Sequence, residues 1–165
     1  MEISFQDRSN YFKGTLLLMG REVLAEESEK NSVRRLGKIL DFEPQFCEYV
    51  ISHFLDDTFT IQEPVEFSNP EIAKIFIRDG IKICFANQAV KVSKVEMLYK
   101  IAVGNHLSAK WFARELYAFL DKGESEVDHS FEIARFFKIK YEFDINRSAK
   151  DYREFMKPIR LTSNL

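Results

Sequence analysis

The sequence is short of the residues that build loops and cross-links. It contains six Gly, four Pro and two Cys in 165 residues. So few loop-forming residues argue against long irregular segments. Cys47 and Cys84 lack the spacing of a metal site, and each lies among apolar residues. We therefore expect two reduced, buried thiols.

The chain also lacks an excess of basic residues and a long apolar run. Lys and Arg total 24 against 26 Asp and Glu, which gives a net charge of −2. Because nucleic-acid binding normally needs a basic stripe, we expect no nucleic-acid partner. No run approaches the ~20 apolar residues of a membrane span. The opening residues MEISFQDR have no signal-peptide core, so we expect a cytoplasmic, reducing location.

Apolar residues are plentiful, as in a soluble globular protein. They make up 45% of the chain, and 16 of them are Phe. A chain of this length fits one domain and can bury about two thirds of its unfolded surface. Nine aromatic residues fall at helical core spacing, which indicates core packing rather than a ligand pocket: Tyr11, Phe12, Phe46, Phe54, Phe76, Phe85, Trp111, Phe112 and Phe119.

Two segments of the sequence resemble each other, at about 11–55 and 76–120. Gly14 and Gly80 are separated by 66 positions. A shift of 65 relates five further pairs: Phe42 and Leu107, Phe46 and Trp111, Ile51 and Leu116, Phe54 and Phe119, Leu55 and Leu120. We expect that one residue was lost in a loop. Such a repeat predicts a pseudo-two-fold helical domain, with any ancestral site at the equivalent loops of the two copies.

Local signals predict where the helices begin and end. Ser9 or Asn10 is the expected cap of a first helix that ends near Gly20. Pro44 suits the first turn of a third helix. The expected starts of the fourth, fifth and sixth helices are Asn69-Pro70-Glu71, Ser93 with Glu96, and Ser108. Alternation at Ile3 and Phe5 leaves a short strand open for Met1–Asp7.

Residues 124–165 lie outside the repeat and contain a strand signal. Five apolar residues alternate with charged ones, at Phe137, Ile139, Tyr141, Phe143 and Ile145. Such a strand could pair with Met1–Gln6 or with an extended connector at Phe59–Phe67, with its copy in a second chain, or with another protein. The alternative is that residues 137–145 form a helix instead of a strand. Phe137, Ile139, Tyr141 and Phe143 are therefore candidate partner-binding residues.

Several runs resemble the TerB-like proteins associated with tellurite resistance. They are YFKGTLLLMG at 11–20, LGKILDFEPQF at 36–46, IAKIFIRDG at 72–80 and the turn NHLS at 105–108. The resemblance covers about residues 9–121. It implies an all-helical domain of two pseudo-symmetric helix groups and a link to stress responses. It also implies, for some members, an acidic metal-binding surface formed by the loop after the first helix of each half.

The two loops depart from that acidic pattern. The second loop, Ala86–Val90, carries amides, and Arg21 occupies the place of an acid in the first. Because a hard cation needs several oxygen ligands, we expect a degenerate site. The candidate ligands that remain are Glu22, Glu26 and Glu27. These acids could equally stabilise a helix N-terminus without metal.

No catalytic motif is evident. His53, His106 and His129 share no metal spacing, and neither a nucleophile elbow nor a glycine-rich phosphate loop is present. We therefore expect no catalytic residues and no cofactor, apart from the divalent cation of the alternative hypothesis.

The sequence predicts a predominantly all-α protein with about seven or eight helices. A TerB-like domain would span 1–123, and a C-terminal extension at 124–165 would contain the short strand. The expected function is a non-enzymatic interaction or scaffold role in a bacterial stress-response or envelope-associated system, through a protein partner or a homodimer. The alternative is a divalent-metal-binding stress protein that uses the acidic loop after the first helix.

Overall fold

A computed structural model describes residues 3–56, 59–61, 65–86, 91–122, 130–135 and 159–161. The described chain is predominantly helical, as predicted. Its elements are α1 (Phe5–Leu24), α2 (Glu27–Ile39), α3 (Pro44–Leu55), β1 (Phe59–Ile61), α4 (Pro70–Phe85), α5 (Val92–Gly104), α6 (Ala109–Asp121), a 3-10 helix (Glu132–Arg135) and β2 (Ile159–Leu161). The predicted total of seven or eight helices refers to the whole chain and stays a prediction. None of the described helices is long and apolar enough to cross a membrane.

Three predicted helix starts are confirmed. The Asn69 side chain accepts a hydrogen bond from the Glu71 amide at 2.8 Å, and Pro70 follows as the first residue of α4. The Ser108 hydroxyl accepts from the Trp111 amide at 3.0 Å. Pro44 begins α3, where a missing N–H leaves no bond unmade. These starts depend on contacts within three residues, which the sequence displays directly.

Two predicted starts are wrong. The cap of α1 is Ser4, whose hydroxyl accepts from the Asp7 amide at 3.1 Å, so Ser9 and Asn10 lie inside the helix. Because α1 begins at Phe5, the short strand considered for Met1–Asp7 does not form at Phe5–Asp7. Similarly, α5 begins directly after Lys91, and Ser93 is therefore its second residue rather than its cap.

Gly20 interrupts α1 near the predicted end of the first helix. Its backbone angles are φ 73° and ψ 165°, a conformation that glycine adopts easily and other residues rarely. One more helical turn then continues to Leu24. The Lys94 amine lies 2.6 Å from the position that a Gly20 Cβ would occupy, so a side chain there would be strained by the backbone and would displace this amine.

The core forms around α1 and α4, which pack against each other. Tyr11 and Phe76 meet edge to face, with ring centroids 5.1 Å apart. Gly14 and Gly80 allow this approach, because a Cβ on Gly14 would lie 2.6 Å from Phe76 of α4 and one on Gly80 3.0 Å from Leu18 of α1. The expected buried, unbridged thiols are confirmed at both cysteines.

Helices α1–α3 and α4–α6 follow the same numbering after a shift of 65; we call them the N-terminal half (residues 5–55) and the C-terminal half (residues 70–121). Helices α1 and α4 begin at 5 and 70, α2 and α5 run over 27–39 and 92–104, and α3 and α6 begin at 44 and 109. This register pairs Gly14 with Asp79, not with Gly80. The helix starts thus share one shift with no residue lost between them.

The turns that follow α2 and α5 also correspond. Asp41 and His106 both have φ 63°. The next amides close each turn on the preceding helix, from Phe42 to the Gly37 carbonyl at 2.8 Å and from Leu107 to the Ala102 carbonyl at 3.0 Å. Both helices therefore end in the same left-handed cap.

Two segments of the C-terminal extension contact the rest of the chain. The 3-10 helix packs on α4, where Arg78 pairs with Glu132 at 2.8 Å. Strand β2 pairs antiparallel with β1, with Phe59 opposite Leu161. The predicted connector thus contains a strand. The predicted strand at 137–145, with Phe137, Ile139, Tyr141 and Phe143, lies outside the described residues.

Candidate functional site

A cavity of about 320 Å³ opens where the two halves meet. It lies among the end of α1, the face of α2, the end of α4, the start of α5 and residues 130–131. Its described lining comprises Leu18, Met19, Gly20, Arg21, Glu22, Val23, Glu29, Ser32, Arg35, Asp79, Lys82, Ile83, Cys84, Ala86, Lys91, Lys94, Ser130 and Phe131. The volume falls at the small end of the range for ligand pockets, about 300–1,000 Å³.

Corresponding segments of the two halves supply much of this lining. Four lining pairs are related by the shift of 65: Leu18 and Ile83, Met19 and Cys84, Arg21 and Ala86, Glu29 and Lys94. The cavity therefore lies where the repeat hypothesis places an ancestral site. From the sequence we expect any ancestral site at the equivalent loops but no ligand pocket, so the cavity itself is not predicted.

The C-terminal half contributes mainly basic groups. Lys91, just before α5, pairs with Glu22 across the cavity rim at 3.0 Å. Lys82 on α4 donates to the Ser130 carbonyl at 2.8 Å and lies 3.9 Å from Asp79. The cationic side chains of this half thus come from α4, α5 and the residue preceding α5.

Lys94 differs from its neighbours because no hydrogen bond or ion pair holds its amine within the described part of the chain. It is partly buried, beside the backbone of Gly20. Burial lowers the pKa of Lys94, and the nearby charge of Lys91 lowers it further. The Lys94 ammonium is therefore partly withdrawn from water.

Asp79 anchors the 3-10 helix beside the cavity and is almost fully buried, at 1% exposed. Tyr11 donates its hydroxyl to Oδ2 at 2.5 Å, and the Glu132 amide donates to Oδ1 at 2.7 Å. The Ile133 amide adds a longer bond of 3.3 Å to Oδ2. Burial raises the pKa of Asp79, whereas these donors oppose the rise. Sequence reasoning missed this residue, although an acid within the apolar run of α4 was a visible signal.

The candidate metal ligands are engaged elsewhere or exposed. Glu22 is 87% exposed, and its bond to Lys91 lowers its pKa. Glu27 pairs with Arg34 at 2.7 Å, which lowers the pKa of Glu27. Glu26 is exposed directly before α2. Among the residues that the structure describes, no three His, Cys, Asp or Glu side chains form a group able to hold a metal ion.

Two of the three histidines fall within the described chain and lie apart. His53 is partly exposed and contacts the ring of Tyr49, with centroids 4.1 Å apart. His106 is exposed in the turn before α6. His53 thus lies on a helix and His106 in a turn.

Comparison with known proteins adds no relative. The chain matches no protein-family model, no curated protein and no solved structure.

Proposed function

We propose that this chain is a non-enzymatic TerB-like binding protein built from two duplicated half-domains. Its proposed role is protein interaction or scaffolding in a bacterial stress-response or envelope-associated system. The observation that carries the proposal is the shared register of the two halves. A shift of 65 relates all three helix starts, both bounds of α2 and α5, and the two left-handed turns.

The C-terminal extension is the proposed interaction segment. In the described part of this extension, the 3-10 helix packs against α4 and β2 pairs with β1. The apolar residues Phe137, Ile139, Tyr141 and Phe143 lie between these two attachments in the sequence. We propose that they contact a partner protein or a second copy of the chain.

Paired substitutions within this segment test the proposal. Ile139→Ser with Phe143→Ser removes two apolar residues, and Lys138→Ser with Lys140→Ser is the matched control in the same segment. Sedimentation velocity measures self-association, and immobilised full-length protein captures partners from the native host. We expect the apolar variant alone to lose association, by about tenfold or more if the residues are anchors. Equal association by both variants, with unchanged circular dichroism, would contradict the interaction role.

Metal binding at the start of α2 is the second candidate function. The observation that favours it is the acidic segment after the first helix, where Glu22, Glu26 and Glu27 are the candidate ligands. Calorimetry with Ca²⁺, Mg²⁺ and Zn²⁺ tests it directly. Binding heat that Glu26→Gln with Glu27→Gln abolishes would support this function. Absence of heat at millimolar metal would exclude it and leave the interaction proposal untouched.

A further inference from the structure

The cavity combines an apolar wall with a basic rim. The wall consists of Leu18, Met19, Val23, Ile83 and Phe131. The rim contains Arg35, Lys82, Lys91 and Lys94. An apolar lining with a few charged groups is typical of small-molecule sites, because the wall supplies affinity and the charges fix orientation.

Most of the acidic groups in the lining are already engaged. Asp79 receives hydrogen bonds from Tyr11, Glu132 and Ile133. Glu22 pairs with Lys91. Glu29 is the remaining carboxylate in the described lining. Against these three carboxylates the described lining holds five basic side chains, those of Arg21, Arg35, Lys82, Lys91 and Lys94. The cavity therefore has an excess of positive charge.

Basic donors also remain for a ligand. Lys82 uses one strong hydrogen bond, to the Ser130 carbonyl, although an ammonium can donate three. Arg35 donates one bond of 3.2 Å to the Ser32 hydroxyl, although a guanidinium has five N–H groups. Lys94 donates none within the described residues. These groups line the cavity from α2, α4 and α5.

We propose that this cavity binds a small amphipathic anion, a carboxylate or phosphate monoester carried on an apolar group. Lys94 contacts the anionic head, and the apolar part lies against Met19, Ile83 and Phe131. Gly20 is part of this site because its missing side chain leaves room for the Lys94 amine. The inference is independent of the proposed interaction role and of the C-terminal apolar residues.

Calorimetry on the full chain tests the anion requirement with four probes. Octanoate and octyl phosphate carry both features, inorganic phosphate has the charge alone, and octanamide has the chain alone. We expect at least one of the two amphipathic anions to bind, and to bind about tenfold or more tightly than octanamide and inorganic phosphate. Which amphipathic probe binds more tightly identifies the head group. No binding by either amphipathic anion at millimolar concentration, or equal binding of octanoate and octanamide, would overturn the proposal.

Variants then test the residues. Lys94→Met removes the charge at similar length and should weaken anion binding about tenfold or more. The matched control Lys110→Met changes an exposed lysine of α6 outside the described lining and should leave affinity unchanged. Glu29→Gln should strengthen binding severalfold by removing a repelling charge. Weaker binding by Glu29→Gln, or unchanged binding by Lys94→Met, would overturn the assignment. Thermal unfolding of each variant shows that the fold is retained.

Val23→Trp separates this cavity from any other binding place. Val23 is partly exposed and lines the cavity, so an indole there would occupy ligand volume without removing a charge. We expect loss of octanoate and octyl phosphate binding together. Retained affinity in this variant, with normal unfolding, would place the ligand elsewhere and overturn the proposal.

Discussion

The two halves share a helix register but differ in how much of their third helix they bury. Five residues of α3 are buried: Phe46, Cys47, Val50, Ile51 and Phe54. In α6 only Phe112 is buried, while Trp111, Leu116 and Phe119 are partly exposed. Helix starts follow from local hydrogen bonds, which both halves can make independently. Burial depends on neighbouring elements, and these neighbours differ between the halves.

The halves also reverse the charge at corresponding helix starts. Glu26 and Glu29 flank the first turn of α2, whereas Lys91 and Lys94 occupy the same positions at α5. Acids stabilise a helix N-terminus and lysines oppose it, by about 0.3–1 kcal/mol each. The basic start of α5 therefore costs stability, which is consistent with a role for these lysines in ligand binding.

The largest difference between the halves lies at Asp79, whose counterpart is Gly14. We expect Asp79→Ala to lower the free energy of unfolding by about 3 kcal/mol, because it leaves the Tyr11 hydroxyl and two amides without their acceptor. Urea denaturation measures this loss. Tyr11→Phe, which removes one of the bonds, should cost about 1 kcal/mol. Equal losses would mean that the amides find other partners.

Asp79 also marks how far the sequence could predict this molecule. The caps at Asn69 and Ser108 were predictable because each side chain bonds an amide two or three residues away. Neither the burial of Asp79 nor the approach of Lys94 to Gly20 could be predicted, because these contacts join residues 53 or more positions apart and depend on how the helices pack.

The next difference concerns Lys13, which corresponds to Arg78. Arg78 is ion-paired with Glu132, whereas Lys13 is only 2% exposed, and burial lowers its pKa from 10.5 to about 8. Between these values the unfolded amine is protonated while the folded amine is neutral, so stability should rise with pH. Each pKa unit is worth about 1.4 kcal/mol, so we expect a rise of about 1–3 kcal/mol.

Comparison with Lys13→Met isolates this contribution. Burial raises the pKa of Cys47 to about 12 and that of Cys84 to about 11. Above the ordinary thiol pKa of 9 the unfolded thiols therefore ionise while the folded thiols stay protonated, and stability falls with pH. That fall is common to both proteins. Urea titrations from pH 7 to 10.5 should therefore show that the free energy of unfolding of the wild type rises relative to that of Lys13→Met. Parallel profiles would mean that the Lys13 amine stays charged when buried.

A smaller effect is expected where α2 meets α3. A Cβ on Gly37 would collide with the Cys47 sulfur. In the C-terminal half, Ala102 corresponds to Gly37 and already carries a methyl group, and Phe112 corresponds to Cys47. Overpacking costs about 1–3 kcal/mol and alanine regains about 0.5–1 kcal/mol in a helix, so Gly37→Ala should destabilise by about 1 kcal/mol.

Cys47→Ala supplies the control for this contact. Combined with Gly37→Ala, it removes the colliding sulfur. In urea denaturation the double variant should therefore lose less unfolding free energy than the sum of the losses of the two single variants. Additive losses would show that the sulfur rotates away and that the two halves tolerate the same residue at this position.

The smallest effect is expected at the two left-handed turns, because both already close with the same hydrogen bonds. His106 is exposed, and glycine adopts φ 63° without strain, so His106→Gly should stabilise by about 0.5–1 kcal/mol. Asp41→Gly should gain less, since Asp41 lies 4.0 Å from the partly buried guanidinium of Arg8. Thermal unfolding of the two variants measures the difference. A larger gain at Asp41 would show that the Arg8 contact contributes nothing and that the turns are energetically equivalent.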